Sequence, residues 1–537
     1  MNRRLTKTAA LASTALALLV IAGCSNEDSS DFDVSQQYGA EPVLPEPRSV
    51  LLPDLKVAEV VGWQEGETPT VPEGLTVSVY ANDLANPRTV HTLPNGDVLV
   101  VQGKAPQGKP TERPKDLIRD FIMSMAQGSG AQSKESNLIT LLRDSDRDGT
   151  VDERHDLLTG LHSPFGVAFA DNTLYVAAAD AILAYPYQLG QNQITDEPRV
   201  LTPLPGGPIN HHWTKDLALS PDGRFLYASV GSNSNAGERG LEAEKGRAAI
   251  WQVDRQTGAA KIFASGLRNP NGLTFHPETG ELWAVINERD ELGPNLVPDY
   301  MTSVKEGAFY GWPWSYYGNH VDERVHPPRP DMVEQAIAPD YALSSHVAAL
   351  GLTFSNNSAM PEPFRNGAFV GHRGSWNRNQ FNGYKVIYVP FENGRPAGMP
   401  VDVVTDFLAG ENTRGRPVGV GIDGTGALLV ADDAGNTVWR IAAADGTISP
   451  EPIATDQPPQ NVGAVPAPDN AATPAATGAP AGTAATTDRL PADPAAPPAP
   501  APASPEAGVA GGSGPVNPPQ TDIAPAVQPE AGVQPGG

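Results

Sequence analysis

Cysteine is almost absent from this chain of 537 residues, which contains only Cys24. A single thiol rules out an intramolecular disulfide, a zinc site with several cysteines and a Cys-x-x-Cys-His haem attachment, so stability must come from packing. The sequence also lacks a P-loop and a Gly-x-Ser-x-Gly motif. A Gly-x-Gly-x-x-Gly match at residues 419–424 precedes a strand pattern instead of a helix, so it does not indicate dinucleotide binding.

Positive charge is scarce as well, with 37 Lys and Arg against 62 Asp and Glu and a net charge of −25. Cleavage after residue 23 would remove three positive charges and no negative charge, which would make the net charge −28. Proteins that bind nucleic acids in general gain affinity by neutralising phosphates. The charge balance therefore argues against a general nucleic-acid binder.

Long apolar runs are missing after the N-terminal segment, so the sequence predicts no helix that spans a bilayer. The N-terminal segment has basic residues, a short apolar stretch at residues 9–21 and small residues before Cys24, as a lipoprotein signal does. We expect residues 1–23 to be removed and Cys24 to carry a lipid that anchors the protein in the periplasm. Ser25 favours the outer membrane. A secretory signal with an incidental cysteine is the alternative.

Composition divides the remaining chain into three parts. Residues 24–48 are polar and contain several prolines, which predicts a tether. Residues 446–537 consist mostly of Pro, Ala, Gly and Thr, and such a segment buries too little apolar surface to offset its ordering entropy. We expect this tail to be disordered and residues 49–445 to form the folded domain.

A two-strand unit recurs six times, with a short apolar strand, a turn rich in Asp, Asn or Gly, and a second apolar strand. The copies lie at residues 93–101, 165–177, 216–228, 271–285, 350–370 and 418–431. Such a repeat predicts an all-β fold, a six-bladed β-propeller whose blades bury their faces on one another. A pair of β-sandwiches would not explain the repeat. A short helix is expected over residues 114–127, inserted in the first blade.

Arginines lie directly before two of these units, in residues 268–273 (RNPNGL) and 413–418 (TRGRPV). Because the loops that enter the inner strands of a propeller converge at one end of its channel, we expect Arg268, Arg414 and Arg416 to share a pocket. A planar guanidinium binds an oxyanion through two hydrogen bonds, and an anion relieves the repulsion between neighbouring arginines. The pattern indicates a ligand with several carboxylates or phosphates. Surface arginines in salt bridges are the alternative.

Two histidines take the matching position before another unit, in residues 211–214 (HHWT). A histidine titrates near neutral pH and can take a proton from a substrate hydroxyl. Adjacent side chains of a strand point in opposite directions, so we expect one of the two to face the pocket. A packed or solvated pair is the alternative, and a zinc site lacks a third ligand with recognisable spacing.

Alternating carboxylates over residues 144–153, with Gly149 at the sixth position, are typical of a calcium-binding loop. Position twelve is His155 instead of Glu, so the loop is not a regular EF-hand. A solvated acidic turn is the alternative. The candidate ligands are Asp144, Asp146, Asp148, Asp152 and Glu153.

Seven segments, in order, resemble the quinoprotein glucose/sorbosone dehydrogenase family, most closely its sorbosone dehydrogenase-like branch. The segments are residues 211–214 (HHWT), 266–273 (GLRNPNGL), 287–293 (NERDELG), 310–313 (YGWP), 346 (H), 371–376 (GHRGSW) and 414–418 (RGRPV). The resemblance covers about residues 70–445. It implies a six-bladed propeller that holds pyrroloquinoline quinone and Ca²⁺ and oxidises sugars or related hydroxy or aldehyde compounds.

The same resemblance implies residue roles. His212 would remove the hydroxyl proton while hydride moves to the quinone, and Arg268 would stabilise the quinone oxygen with Asn269 beside it. Calcium would polarise the quinone carbonyl as a Lewis acid. The remaining cofactor contacts implied are His346, Arg373, Arg414 and Arg416. The implied calcium ligands are Asp290 and the carbonyl oxygens of Gly293 and Pro294. His346 and Arg373 stand where the glucose enzymes have Thr and Lys, which argues against a glucose dehydrogenase.

The sequence thus predicts a lipid-anchored periplasmic quinoprotein dehydrogenase for a sugar-type alcohol or aldehyde. With no haem motif in the chain, electrons must pass to a separate acceptor. The alternative is a calcium-dependent, lactonase-like propeller or a non-catalytic carbohydrate-binding one. The clustered arginines favour the dehydrogenase, because a lactonase centred on Ca²⁺ does not need them.

Overall fold

The computed structural model describes residues 32–48, 55–106 and 136–456. The signal peptide (residues 1–23), the lipid site Cys24, the helix over residues 114–127 and the tail beyond residue 456 lie outside the described residues and stay predictions. Within the described ranges, no helix has both the length and the apolar character needed to cross a bilayer.

Nearly all regular structure in the described residues is β. Helix is limited there to two 3₁₀ turns, Val34–Gln37 and Leu241–Glu244, and to α1 (Pro330–Val333). Three strands precede the first complete sheet: β1 (Tyr38–Gly39), β2 (Glu59–Val60) and β3 (Leu75–Ala81).

Sheets 1 to 3 each consist of four consecutive antiparallel strands. Sheet 1 contains β4 (Pro87–Thr92), β5 (Val98–Gln102), β6 (Leu138–Arg143) and β7 (Glu153–Leu158). Sheet 2 contains β8 (Val167–Ala170), β9 (Thr173–Ala177), β10 (Ala181–Pro186) and β11 (Arg199–Pro203). Sheet 3 contains β12 (Leu217–Leu219), β13 (Phe225–Val230), β14 (Ala249–Asp254) and β15 (Ala260–Ser265).

Sheets 4 to 6 depart from this pattern of four consecutive strands. The region of sheet 4 contains β16 (Pro270–Phe275), β17 (Leu282–Ile286), β18 (Pro298–Ser303), the inserted hairpin β19 (Ser315–Tyr316) and β20 (His320–Val321), and β21 (Tyr341–Ser345). Sheet 5 contains β22 (Ala349–Phe354), β23 (Gly367–His372), β24 (Lys385–Glu392), β25 (Arg395–Pro396) and β26 (Val401–Val404).

The final strands are β27 (Leu408–Ala409), β28 (Asn412–Thr413), β29 (Pro417–Ile422), β30 (Leu428–Asp432) and β31 (Thr437–Ala443). Strands β29, β30 and β31 form sheet 6, and β3 from the start of the domain is its fourth strand. Strands β27 and β28 form a small sheet with β2. Sheet 6 therefore joins the two ends of the folded domain.

Five of the six predicted two-strand units contain an antiparallel pair that begins a sheet. The unit at residues 93–101 contains only the turn and the second strand of sheet 1, because the first strand, β4, lies before it. The observed strands confirm the all-β prediction. Apolar cores lie between each sheet and the next. The series returns to its start, because Val100 of sheet 1 shares a core with Leu429 of sheet 6. Strands such as β5 are buried along their whole length because both faces meet such a core. The arrangement is of the β-propeller type.

A central channel runs between the sheets. One cavity in it is lined by residues from the first strands β4, β8, β12, β16, β22 and β29. These strands approach so closely that several positions admit only glycine. A Cβ on Gly419 of β29 would collide with the carbonyl oxygen of Arg88 in β4, and one on Gly166 would collide with the backbone of Leu217.

The segment predicted as a tether is part of the fold from residue 32 to residue 48. Tyr38 and Gly39 pair with β21 and extend sheet 4 by one strand. The side chain of Gln37 is fully buried, and its amide oxygen accepts from the backbone N–H (3.2 Å) and the hydroxyl (2.7 Å) of Ser345. A two-residue strand carries too little hydrophobic pattern for the sequence to reveal it.

The predicted tail also begins later than expected. Residues 453–456 line a cavity at the end of the channel where the first strands finish. Thr455 exchanges two hydrogen bonds of 2.9 Å with Thr92 of sheet 1, and Asp456 accepts from the backbone N–H of Phe169 in sheet 2 (2.8 Å). This segment crosses one mouth of the channel, and the chemistry predicted from the sequence gathers at the other.

Replacing Gly419 with Ala should destabilise the protein by about 1–3 kcal/mol, because the new methyl group meets backbone that cannot move aside. Urea unfolding measures the loss. Gly421→Ala, two residues along the same strand, is the matched control. Its methyl group would lie 3.0 Å from a methyl group of Val90 and 3.3 Å from the Val90 carbonyl oxygen, farther than the 2.4 Å contact at Gly419, so the loss should be smaller. Equal losses would contradict close backbone approach as the constraint.

Candidate active site

Loops that lead into the first strands bring the predicted residues to one mouth of the channel. His212 precedes β12, Arg268 and Asn269 precede β16, His346 precedes β22, and Arg416 precedes β29. The antiparallel second strands return to the same end, so residues after them lie there too. Side chains from distant parts of the sequence thus meet at this mouth.

His212 is held in one orientation by sheet 3. Its Nδ1 lies 2.9 Å from the carbonyl oxygen of Ser232 and 3.0 Å from the Ser232 hydroxyl. Because a carbonyl oxygen only accepts, Nδ1 carries the proton in the neutral ring and Nε2 is the basic nitrogen. Asn269 is a close neighbour, since a Cβ placed on Gly231 would touch both His212 and the Asn269 amide oxygen. That buried oxygen has no hydrogen-bond donor among the described residues.

Lys215 supports the loop that carries His212. Its side chain is completely buried, and Nζ donates to the carbonyl oxygen of Trp213 at 3.1 Å and lies near that of His212 at 3.5 Å. Burial lowers the pKa of Lys215 well below its usual value, and the nearby Arg247 lowers it further. The amine therefore acts as a hydrogen-bond donor that fixes two consecutive carbonyl groups.

Arg268 is engaged by the protein at every N–H group. Its guanidinium donates to the carbonyl oxygens of Asn235, Asn287 and Glu288 and to the Asn235 amide oxygen, and Nη2 lies 3.1 Å from an Asp290 carboxylate oxygen. A guanidinium has five N–H donors, and all five have partners here. With every N–H group engaged, Arg268 could stabilise a quinone oxygen only through its positive charge, and this role stays a prediction.

The calcium ligands implied by the resemblance lie close together, but the side chains of Arg268, His346 and Arg378 already contact them. The Asp290 carboxylate contacts Arg268 and His346 Nδ1 (3.4 Å). The Gly293 carbonyl oxygen lies 3.1 Å from His346 Nε2. The Pro294 carbonyl accepts from the guanidinium of Arg378 at 2.7 Å. These oxygens are engaged by other side chains in this structure, so the arrangement does not favour a divalent cation here.

A different arginine cluster forms where sheets 1, 5 and 6 meet. Arg373 Nε and Arg88 Nη1 lie 2.9 Å and 2.8 Å from the same oxygen of Asp433, whose other oxygen has no donor among the described residues. Arg416 adds a third guanidinium, with one bond to the carbonyl of Ala58 and a buried Nε that no described residue accepts from. Burial, followed by the proximity of Arg373, lowers the pKa of Arg416 to about 10. Three guanidinium groups thus surround one carboxylate.

Arg88 was missed in the sequence, although a signal was present. It lies in residues 86–88 (NPR), a proline-containing turn at the start of a first strand, as Arg268 does. The signal was hidden because Arg88 follows the proline instead of preceding it. Asp433, at the end of β30, had no distinguishing motif at all.

Arg414 does not belong to this cluster. Its Nε lies 3.3 Å from Glu67, Nη1 donates to the carbonyl oxygens of Asp406 and Leu408, and its guanidinium lies 5.8 Å from the Trp63 ring. The predicted pair of clamping arginines is corrected accordingly. Arg416 faces Arg373 and Asp433, whereas Arg414 contacts β27 of the small sheet formed by β2, β28 and β27.

The acidic loop before β7 brings together only part of the predicted ligand set. Carboxylate oxygens of Asp144, Asp146 and Asp152 lie within 4.8 Å of one another. Asp148 instead accepts from the backbone N–H of Thr150 at 2.7 Å. Glu153 pairs with Arg143 and His155. Burial raises the pKa of Asp144.

Comparison with known proteins identifies the family. The model of the glucose/sorbosone dehydrogenase family matches residues 167–439, about half of the chain. The chain belongs to this family. The match starts in sheet 2 and ends in β31, so it contains His212, Arg373, Arg416 and Asp433, whereas Arg88 lies before it.

Individual relatives of this dehydrogenase-family chain are distant. The aldose sugar dehydrogenase YliI of Escherichia coli is 23% identical over 261 residues, which cover 45% of this chain and 64% of that protein. An uncharacterized protein of Borreliella burgdorferi is 27% identical over 294 residues, with 52% of this chain and 76% of that protein covered.

Solved structures share the fold. The holo form of the PQQ domain of pyranose dehydrogenase from Coprinopsis cinerea matches with a TM-score of 0.55 and 19% identity, over 72% of this chain and all of that domain. A calcium structure of a Trichoderma reesei enzyme of carbohydrate-active family AA12 matches with a TM-score of 0.55 and 17% identity, over 70% and 97% of the two chains.

The arginine cluster of this family member fits a quinone with several carboxylates. Its three guanidinium groups exceed the charge of Asp433 by two, and the buried Arg416 Nε is a donor that needs an acceptor. Arginine binds carboxylates through paired hydrogen bonds. Arg373 and Arg416 would therefore hold the carboxylates.

A buried carboxyl group behind the site should make stability depend on pH. Asp299 accepts from the backbone N–H groups of Glu288 (2.9 Å) and Ala348 (2.8 Å), and burial raises its pKa from 3.8 to about 7. The folded protein binds this proton more tightly than the unfolded chain, so the free energy of unfolding falls as the pH rises from about 4 to 7.

Asp299→Asn should remove this contribution. The decrease in unfolding free energy between pH 5 and pH 8, measured by urea denaturation, should shrink by roughly 2–3 kcal/mol, whatever the absolute stability of the variant. Asp196→Asn, at an exposed carboxylate, is the control and should leave the pH dependence as it is. An unchanged slope in Asp299→Asn would show that Asp299 titrates normally.

Proposed function

We propose that this protein is a dehydrogenase that oxidises a hydroxyl or aldehyde group of a sugar-type compound and uses pyrroloquinoline quinone. The observation that carries the proposal is the cluster of Arg373 and Arg416 around Asp433, with unfilled donors, at the channel mouth that also holds His212. Family membership and the sugar dehydrogenases among the relatives agree with it.

We infer further that the six sheets are the blades of a closed six-bladed propeller. The cores between consecutive sheets, the core between sheets 6 and 1, and the channel lined by all six first strands support this inference. A closed ring matters for the chemistry because it brings residues of different sheets to one channel mouth. Arg373 and Arg416 come from sheets 5 and 6, and His212 comes from the loop before sheet 3.

Electrostatics favours an anionic ligand at the cluster. Two unit charges about 5 Å apart repel each other by roughly 3 kcal/mol at an effective dielectric constant of 20. Asp433 offsets part of this repulsion, and the carboxylates of a bound quinone would offset the rest. The cluster is thus suited to bind a polyanion even though the whole chain is acidic.

His212 is the residue placed to act as the base. With Nδ1 bound to Ser232, Nε2 would take the proton of the substrate hydroxyl. When bound, the quinone would supply the acceptor for the two electrons and the hydrogen that leave the same carbon. Electrons would then pass to a separate acceptor. Arg268 would act indirectly in this arrangement, by neutralising Asp290 and fixing the loop beside Asn269.

The structure weighs against the alternative of a calcium-centred lactonase at the channel mouth. Such an enzyme needs oxygen ligands open to Ca²⁺, and the oxygens of Gly293 and Pro294 face His346 and Arg378. A non-catalytic carbohydrate-binding propeller would have no use for the oriented His212. The dehydrogenase therefore accounts for more of the site.

Quinone titration of the purified protein tests the proposal. Arg373→Gln and Arg416→Gln should each weaken quinone binding by at least about tenfold, because each removes a charge-assisted hydrogen bond. Arg414→Gln is the matched control and should change binding by less than about threefold, since its contacts lie outside the cluster. Equal losses in all three variants, or no quinone binding by the parent protein, would overturn the proposed site.

Dye reduction with a panel of sugars then tests the role of His212. His212→Gln should bind the quinone normally but turn over about 10²- to 10⁴-fold more slowly, the usual contribution of a general base. No dye reduction by the quinone-loaded parent protein with any sugar would instead favour the non-catalytic alternative.

We also propose that the acidic loop binds one structural Ca²⁺ through Asp144, Asp146 and Asp152. Excess Ca²⁺ should raise the thermal midpoint by about 2–5 °C relative to EDTA, because the ion binds only the folded loop. Asp146→Asn should abolish this shift. Glu153→Gln should keep it, since Glu153 is engaged by Arg143 and His155. The absence of a shift in the parent protein would mark the loop as a solvated acidic turn.

A further inference from the structure

Two buried cationic side chains meet at one oxygen of the loop that carries His212. Lys215 Nζ lies 3.4 Å and Arg247 Nη1 lies 3.1 Å from the amide oxygen of Asn210. The amide nitrogen of Asn210 donates to the carbonyl oxygen of Ala179 at 3.1 Å, so the other terminal atom is the oxygen. That single oxygen therefore accepts from both cations.

The arrangement of Lys215 and Arg247 is energetically unfavourable by itself. Both side chains are buried, and their acceptors in the described part of the chain are carbonyl or amide oxygens. Burial and mutual repulsion both oppose two such cations. Burial lowers the pKa of Arg247 to about 10 and that of Lys215 well below its usual value. A costly arrangement of this kind beside a candidate site indicates a role beyond packing.

Lys215 fixes the backbone from which the imidazole of His212 projects. Its Nζ donates to the carbonyl oxygen of Trp213 at 3.1 Å and lies 3.5 Å from that of His212. Since the same amine also contacts the side chain of Asn210, it ties together both sides of the loop around His212.

Arg247 fixes the strand end that accepts from the imidazole. Its Nη1 donates to the carbonyl oxygen of Gly231 at 3.2 Å, directly before Ser232. The carbonyl oxygen of Ser232 accepts from the backbone N–H of His212 at 3.3 Å and lies 2.9 Å from its Nδ1. The two backbones are close, because a Cβ on Gly231 would lie 2.5 Å from the Cβ of His212. A shift of either backbone would therefore separate the ring from Ser232.

We propose that Lys215 and Arg247, joined by Asn210, are positioning residues that hold the imidazole of His212 with its proton on Nδ1. The inference rests on the proposed function, in which the basic Nε2 takes the hydroxyl proton of the substrate. Lys215 is completely buried, so it acts through the backbone and does not touch the substrate.

Nitrogen NMR of the histidine rings tests the inference without turnover. In protein labelled with isotopic histidine, the signals of His212 are those that His212→Gln lacks. At alkaline pH, where the ring is neutral, Lys215→Met should change the ratio of the Nδ1–H to the Nε2–H tautomer by about three- to tenfold, the effect of one lost hydrogen bond. Lys245→Met, at an exposed lysine, is the matched control and should keep the ratio of the parent protein.

Turnover of the quinone-loaded protein supplies a second readout. Lys215→Met should lower kcat about ten- to hundredfold and leave KM and quinone affinity unchanged, because the base is misplaced. In the His212→Gln background the same change should cost less than about twofold, because no imidazole remains to be positioned. A role in overall stability alone would lower kcat equally in both backgrounds.

An unchanged tautomer ratio in folded Lys215→Met would overturn the inference, and so would an equal loss of kcat in the two backgrounds. Urea unfolding shows whether the variant is folded. If it is not, Arg247→Lys replaces it, because a lysine keeps the charge but does not reach all four oxygens that Arg247 binds. The ratio should change in the same direction, and a constant ratio would again reject the inference. If the parent protein oxidises no sugar, the proposed function fails, and the tautomer ratio alone then decides the inference.

Discussion

The carboxylate of Asp433 is what allows three arginines to lie together at the mouth of the channel. Arg88 of sheet 1 and Arg373 of sheet 5 pair with the same oxygen, and Arg416 lies beside them. Without Asp433, the mutual repulsion and the burial of these guanidinium groups would both oppose folding. One carboxylate against three guanidinium groups stabilises the cluster in part and leaves it suited to an anionic ligand.

The contrast between Arg268 and Arg416 shows how the surroundings divide structural from ligand-binding arginines. Both precede a first strand in a turn with proline, and both are buried. Arg268 has five protein acceptors, including Asp290, whereas Arg416 has a single bond and a buried Nε without an acceptor in the described structure. A guanidinium whose five N–H groups all have protein acceptors has a structural role. One with a buried N–H group that lacks an acceptor is suited to bind a ligand.

The two mouths of the channel differ in the residues that line them. At the far mouth, the segment ending in Asp456 binds sheets 1 and 2 and lines a cavity with sheets 3 to 6. At the near mouth, loops from five sheets supply the charged and hydrogen-bonding residues. Because this segment lies at the far mouth, it does not cover the residues at the near mouth. This division follows from the first strands, which all finish at the same end.

Sequence alone determined the all-β architecture, because apolar strands and polar turns alternate six times at positions that match the six sheets. It also determined that His212, Asn269, Arg373 and Arg416 would gather, since each lies at the end of a strand that faces the channel. Only the tertiary structure decided which arginines are free to bind. That depends on Asp433, Asp290 and backbone carbonyls, which reach the guanidinium groups from distant sheets. Hydrogen-bond saturation is a property of three-dimensional neighbours, and no local pattern encodes it.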